Sequence, residues 1–300
     1  MTTLVEVSGL SRRFGSTTAL KDVSFRAEVG LVHGLVGANG AGKTTLIRHL
    51  LGLLRPQSGA VRVFGLDPVR DPVAVLRRVG YLSEHRELPE WMRIGELLRY
   101  TQAYHPSWDQ RYADQLLDTF GLDRRKKFGD LSKGMRAQAG LVVAVAHRPD
   151  LLILDEPSSG LDVVVREDIL NAIVRTVAED GRTVIFSSHL LHEVERMCDH
   201  VTVMQEGSVT LQGPLDEIRG MHQISQVRFE KRIDGTPKFD GALSIAGEGR
   251  SWTVVHASSP ESFRDVVARL GAEVTESRIA TLEEIFIARS VRSRQHQAAA

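Results

Sequence analysis

Hydrophobic and polar residues alternate from Leu4 to Phe25 in the manner of two strands, with the stretch "FGSTT" placing a turn between them. The segment "GLVHGLVG" (30–37) is apolar without alternation, which predicts a strand buried on both faces. A helix is expected from Lys43 to about Leu54, ended by the breakers in "RPQSG". "AVRVFG" and "VGYLSE" read as further strands. From about His85 to Asp130 the period changes. "IGELLRYTQAY" and "QRYADQLLDTF" carry apolar residues at roughly three-to-four spacing, which predicts an inserted helical region.

Alternation of helix and strand then resumes: a helix through "MRAQAGLVVAVAH", the strand "LLILD", a helix "VVVREDILNAIVRTVAED", the strand "TVIFSS" and a short helix. "HVTVMQEGSVTLQG" has the pattern of a closing hairpin with "EG" at its turn. After Pro214 the texture alters, with strands in "QVRFE", "ALSIA" and "SWTVVHA", a helix in "PESFRDVVARLG" and an amphipathic helix in "TLEEIFIARSV". These patterns divide the chain into a large α/β domain over 1–219 with a helical region at about 85–147, a small α+β domain over 220–290, and a tail, 291–300. The tail has little to bury and is expected to be disordered.

The junction between the buried strand and the first helix holds the most specific chemistry. "GANGAGKTT", Gly37 to Thr45, fits G-x-x-x-x-G-K-T. Glycines at Gly37, Gly40 and Gly42, with only Ala38, Asn39 and Ala41 between them, let the backbone wrap with its N–H groups turned inward around phosphate oxygens. The helix start adds a partial positive charge aimed at the same anion. Lys43 reaches the outer phosphates, and the Thr44 hydroxyl, followed by Thr45, is placed to ligate Mg²⁺. A mononucleoside triphosphate is the expected ligand. "LLILDEP" puts Asp155 and Glu156 at the end of an apolar strand, where ligands of open α/β sheets gather. Asp155 suits Mg²⁺ held through its water shell, and Glu156 suits polarising a water for attack on a γ-phosphate.

Composition changes this picture little. With 42% hydrophobic and 25% charged residues among 300, the chain is globular and long enough for one large domain and one small one. Lys plus Arg and Asp plus Glu both total 38, so charge gives no argument for nucleic acid or an anionic membrane as main partner. The lone Cys198 suits a reducing compartment. No apolar run approaches the length of a membrane span and the amino terminus lacks the order of a signal peptide, so a soluble, cytoplasmic chain is expected.

From about Leu4 to Gly213 the chain resembles the nucleotide-binding subunits of ATP-binding-cassette (ABC) transporters, whose motifs appear in order. "LSKGM", Leu131 to Met135, matches the family signature, with Lys133 and Met135 as departures. Ser132 is also a good helix N-cap, and capping and phosphate binding can hold together. "SSGLD", Ser158 to Asp162, resembles the D-loop, and His189 in "SSH" stands like the switch histidine that contacts the γ-phosphate. The resemblance implies ATP and Mg²⁺ as ligands, with Ser132, Gly134 and Asp162 among the nucleotide-binding residues and Glu156, His189 and Lys43 as the catalytic ones. Phe14 corresponds to the aromatic that stacks on adenine, although a core phenylalanine near a turn reads almost as well. Glu84 stands where the family has a glutamine that touches Mg²⁺ and the attacking water, so it joins Thr44 and Asp155 as an expected metal ligand.

The fold so implied is a P-loop NTPase (RecA-like) core with an antiparallel β subdomain and a helical subdomain, plus the small C-terminal α+β domain. The resemblance further implies an ATPase that dimerises on ATP, as a homodimer or with a second cassette. Separate integral membrane permease subunits are the expected partners, placing the chain on the inner face of the cell membrane, and nucleic acid is not among them. "LSKGMRAQ", "GLDVVVRE" and "TLEEIFI" look like cassettes of bacterial exporters for drug, peptide or lipid-like cargo. A soluble ATPase acting as regulator or sensor is the alternative. Trp91 and Met92 are expected to be exposed and are candidates for the groove that receives the permease, although an aromatic at this place reads at least as well as subdomain core. The C-terminal domain is open between dimer contact, regulatory sensor and permease contact.

Overall fold

The computed structural model describes residues 2–84 and 88–289. Its Cα framework divides into two compact units at Gln212/Gly213, ahead of the boundary expected at 219/220.

In the first unit, β1 (Thr3–Phe14) pairs antiparallel with β2 (Thr17–Glu28) and β4 (Ser58–Val63). Their alternating inward residues, Val5, Val7, Leu20, Val23 and Phe25 among them, pack into one cluster with Leu35, Ile153 and Ile185 of the larger sheet. That sheet runs in the order β5-β6-β7-β3-β8-β9, formed by β3 (Val32–Val36), β5 (Val79–Leu82), β6 (Leu151–Asp155), β7 (Thr183–Ser188), β8 (His200–Gln205) and β9 (Ser208–Pro214). β5, β6, β7, β3 and β8 are parallel. β3, β6 and β7 are buried at every position, which explains why their sequences run apolar instead of alternating. β9 joins β8 through the expected turn, where Glu206 and Gly207 both have positive φ.

The register fixes the site. Asp155 pairs with Ser187 and Val36 with Ser188, so the segments that follow β3, β6 and β7 leave the sheet side by side at its carboxyl edge. α1 (Lys43–Leu50) follows β3. It is shorter than expected because Gly52, at φ +70, turns the chain out of the helix. A short α2 (Pro72–Leu76) precedes β5.

The inserted helices α3 (Ile94–Gln102) and α4 (Gln110–Thr119) pack with α5 (Lys133–Val145), through its Ala139 and Val142, around Ile94, Leu97, Leu117 and Phe128. α6 (Val163–Asp180) and α7 (Leu191–Met197) follow β6 and β7. No helix among the described residues is long and apolar enough to cross a membrane.

The second unit opens with α8 (Leu215–Gly220). Its sheet has the order β11-β10-β12, from β10 (Gln223–Ile233), β11 (Ala242–His256) and β12 (Ala272–Ile279), and α9 (Pro260–Arg269) contributes Phe263 and Val267 to the core. "ALSIA" and "SWTVVHA" form one bent strand, because Gly247 and Gly249, both at positive φ, bend β11 where the sequence pattern predicts an end. β12 is absent from the sequence reading. It is an edge strand with no fully buried residue, so the apolar alternation that betrays a strand is missing. Residues 282–289 are helical as expected, and the tail 291–300 lies outside the described residues.

Candidate active site

Between β3 and α1 the chain passes close to its own backbone. A Cβ at Gly37 would come within 2.5 Å of the Met204 carbonyl oxygen, and Gly42, at φ +105, lies where a Cβ would meet the Ala19 carbonyl at 2.7 Å. Ala38, Asn39 and Gly40 form the exposed crest and Ala41 is buried beneath it, its N–H donating to Ala38 O at 3.0 Å. The α1 ladder begins with Leu46 N donating to Gly42 O, and no side chain caps the helix start. The N–H groups of Lys43, Thr44 and Thr45 therefore have no helix carbonyl to bond, which leaves donors for an anion.

Lys43 is buried although charged. Its Nζ donates to Gly37 O at 2.6 Å and Ala38 O at 3.4 Å, and lies 3.0 Å from Glu156 Oε1. Glu156 follows β6 at φ +50, an unfavourable conformation for a residue with a side chain. Its N–H is held there by Ser187 O at 3.2 Å and Ser187 Oγ at 3.0 Å. The other carboxylate oxygen, Oε2, accepts from His189: Nδ1 lies at 2.7 Å and the backbone N–H at 3.3 Å. A carboxylate only accepts, so Nδ1 carries a proton in this contact. Asp155 is buried, and its Oδ1 accepts from Ser187 Oγ at 2.7 Å.

Thr44, Glu84 and Asp155 line one cleft of about 340 Å³ together with Tyr81, Ser83 and Leu88. These three residues give a hydroxyl and two carboxylates, hard oxygen donors suited to a divalent cation. Among the described residues no three His, Cys, Asp or Glu side chains gather to hold a metal alone.

Other expected residues form a second cluster. Ser132 caps α5 by accepting from Met135 N at 3.2 Å, and Asp162 Oδ1 accepts from Val165 N at 3.0 Å at the start of α6. Gly134 packs against Val165, where a Cβ would meet Cγ2 at 3.0 Å. Ser132, Gly134 and Asp162 do not line the cleft of Thr44, Glu84 and Asp155. Phe14 ends β1, 44% exposed, with the Arg12 guanidinium 4.8 Å from its ring centre, so it is not a core residue. Trp91 is 72% exposed, whereas Met92, expected to be exposed, packs against the helical cluster.

Sequence reasoning missed the supports. Ser187, read only as part of a strand, links Asp155 to Glu156. Glu193, buried on α7, accepts from Ser158 Oγ at 2.7 Å and Ser188 Oγ at 3.0 Å, with Arg166 Nε 3.5 Å from its other oxygen. Its position four residues after His189 is a signal only once α7 is known to fold back on the sheet.

A phosphate loop whose lysine faces a strand-end carboxylate pair, on this sheet order, defines a P-loop nucleotide-binding ATPase. The sequence model of the family described as "ABC transporter" matches residues 20–159. The ABC transporter ATP-binding protein YtrB of Bacillus subtilis is 30% identical, over 95% of this chain and 98% of its own length. The daunorubicin resistance ATP-binding protein DrrA3 of Streptomyces coeruleorubidus is 36% identical, over 72% of this chain and 70% of that protein. A solved ATP-binding subunit of an ABC transporter superposes with a TM-score of 0.68 at 34% identity, covering 73% of this chain and 92% of that one. The chain belongs to the ABC transporter family, as an ATP-binding subunit with ATPase chemistry.

Proposed function

We propose that two copies of this chain close head to tail on ATP and act as the motor of an exporter, driving a separate membrane permease from the inner face of the cell membrane. One observation carries the dimer. The chain has one phosphate loop and one signature, and Ser132, Gly134 and Asp162 stand outside the cleft that gathers Thr44, Glu84 and Asp155. Each copy thus offers a phosphate cradle and, elsewhere, a surface that the cradle of another copy can use. Export rests on the likeness to DrrA3, a daunorubicin resistance protein.

In this reading the backbone donors from Gly37 to Thr45 cradle the triphosphate and Phe14 stacks on the adenine. Lys43 leaves Glu156 for the outer phosphates, which frees Glu156 Oε1 to accept from a water. That water's oxygen bonds to the γ-phosphorus as the bond to the β,γ-bridging oxygen breaks, and its proton passes to Glu156. His189 keeps Glu156 oriented through Nδ1 and offers its ring edge to the γ-phosphate. Ser132, Gly134 and Asp162 complete the site from the other copy. The oxygen donors of Thr44, Glu84 and Asp155 fit Mg²⁺, which when bound would supply charge neutralisation of the phosphates, the rest of its shell coming from phosphate and water.

The test is the mass of the Glu156→Gln chain, by sedimentation with and without ATP and Mg²⁺. A dimer that forms only with ATP is expected, and a monomer at saturating ATP would overturn the head-to-tail reading.

A further inference from the structure

Two departures from the family pattern carry opposite charges. Glu84 replaces an amide with a carboxylate in a cleft that already holds Asp155 and is to receive a triphosphate. Lys133 replaces a glycine of the signature with a cation, at the first position of α5. Its side chain is exposed and lies across Gly160, in the loop before α6: a Cβ on Gly160 would fall onto the Lys133 amine. Gly134 packs on Val165 of α6 beside it, so the signature lies against the start of α6, and the Lys133 ammonium reaches the 158–162 loop at Gly160. Among the described residues Lys133 has no ion pair, so its charge is uncommitted within its own chain.

We propose that Lys133 is a phosphate-binding residue acting in trans, its ammonium meeting the triphosphate held by the other copy and offsetting the charge that Glu84 adds there. The proposal rests on the head-to-tail reading and goes beyond it. That reading requires a signature surface against the γ-phosphate, and small residues satisfy it with backbone donors alone. A lysine adds a compact charge with three donors on a flexible stem, suited to oxygens whose position is set by another molecule. The charge balance of the closed site is then shared: each copy contributes an extra carboxylate to its own cleft and an extra cation to its partner's.

The experiment is a double-mutant cycle in the Glu156→Gln background, reading the ATP-dependent dimer dissociation constant by sedimentation at low and high salt. Lys133→Ala is expected to weaken the dimer by about tenfold at low salt and less at high salt, because the lost interaction is one of charge. Lys133→Arg should restore most of it, and Lys133→Ala with Glu84→Gln should lose much less than Lys133→Ala alone. ATP affinity of dilute, monomeric protein should be the same with and without Lys133, since the residue does not serve its own loop. A Lys133→Ala chain that dimerises like its parent, or a loss undiminished by Glu84→Gln, would overturn the proposal while leaving the dimer in place. A parent that stays monomeric with ATP would instead remove the head-to-tail reading itself.

Discussion

Changing Glu156 to glutamine separates what the carboxylate does for the reaction from what it does to the ligand-free loop. Lys43 and Glu156 face each other at 3.0 Å with both side chains almost wholly buried. At that separation the Coulomb attraction is about 5 kcal/mol for an effective dielectric constant of about 20. Desolvation of the two charges offsets much of it, and a close pair of this kind typically retains a coupling of about 1–3 kcal/mol. An incoming triphosphate must take the Lys43 amine from Glu156 against that coupling. Glutamine keeps the shape but lacks the charge, so the variant is expected to bind a non-hydrolysable ATP analogue roughly 5- to 100-fold more tightly in calorimetry on dilute protein. The same change removes the group placed to take the water's proton, and steady-state phosphate release should fall by about two to four orders of magnitude, which is roughly 3–5 kcal/mol in the barrier. Tighter binding with lost turnover is the signature of a residue that competes with substrate for its own lysine. Turnover within tenfold of the parent, or weaker analogue binding, would refute the reasoning.

Ser187→Ala removes the donor to Asp155 and one of the two acceptors that hold the Glu156 N–H at positive φ. It should cost about 1–3 kcal/mol in urea unfolding and lower kcat more than it raises KM; a fall in stability with unchanged kcat would show that the hydroxyl is only structural. Acid should also weaken the first unit through His147. Burial, with the neighbouring His105 next, pulls this imidazole down to about 4. Its folded value lies below the unfolded one of about 6.5, so the stability it confers is complete above that pH and is lost as pH falls towards 4. On the order of 3 kcal/mol is at stake. The stability gap between the parent and His147→Gln should therefore shrink between pH 7 and pH 4.5, and a gap independent of pH would contradict the assignment.

The phosphate loop, the carboxylate pair and the alternation of helix and strand were legible because each rests on local pattern. A loop that approaches Met204 O and Ala19 O needs glycine at Gly37 and Gly42 whatever lies around it, and strands buried on both faces must run apolar. What escaped depends on partners distant in sequence. β12 brings only Ala272 and Val274 to the core and is otherwise mostly polar, so its pairing with β10 is what makes it a strand. Met92 followed the exposed Trp91 into the groove expectation, yet it is drawn into the cluster built by α3 and α5, which no window around "PEWM" contains. Glu193 looks like one more charged residue of an amphipathic helix until α7 is laid against the sheet.

Glu193 also shows why the site needs more than its named motifs. Ser158 begins the loop that carries Gly160 and Asp162, while Ser188 ends the strand that presents His189. These hydroxyls converge on one buried carboxylate oxygen, and Arg166 of α6 stands at the other. A buried carboxylate without such partners would be costly, and with them it holds two loops to a fixed spacing. His189 in turn holds Glu156 Oε2, so in the proposed mechanism the carboxylate that takes the water's proton is positioned by a chain of contacts that reaches back to the 158–162 loop. Because Ser158 of the 158–162 loop and Ser188 beside His189 share the Glu193 anchor, a displacement of that loop is expected to be felt at His189. If the proposed head-to-tail dimer forms, hydrolysis should therefore depend on the 158–162 loop even where that loop touches no phosphate.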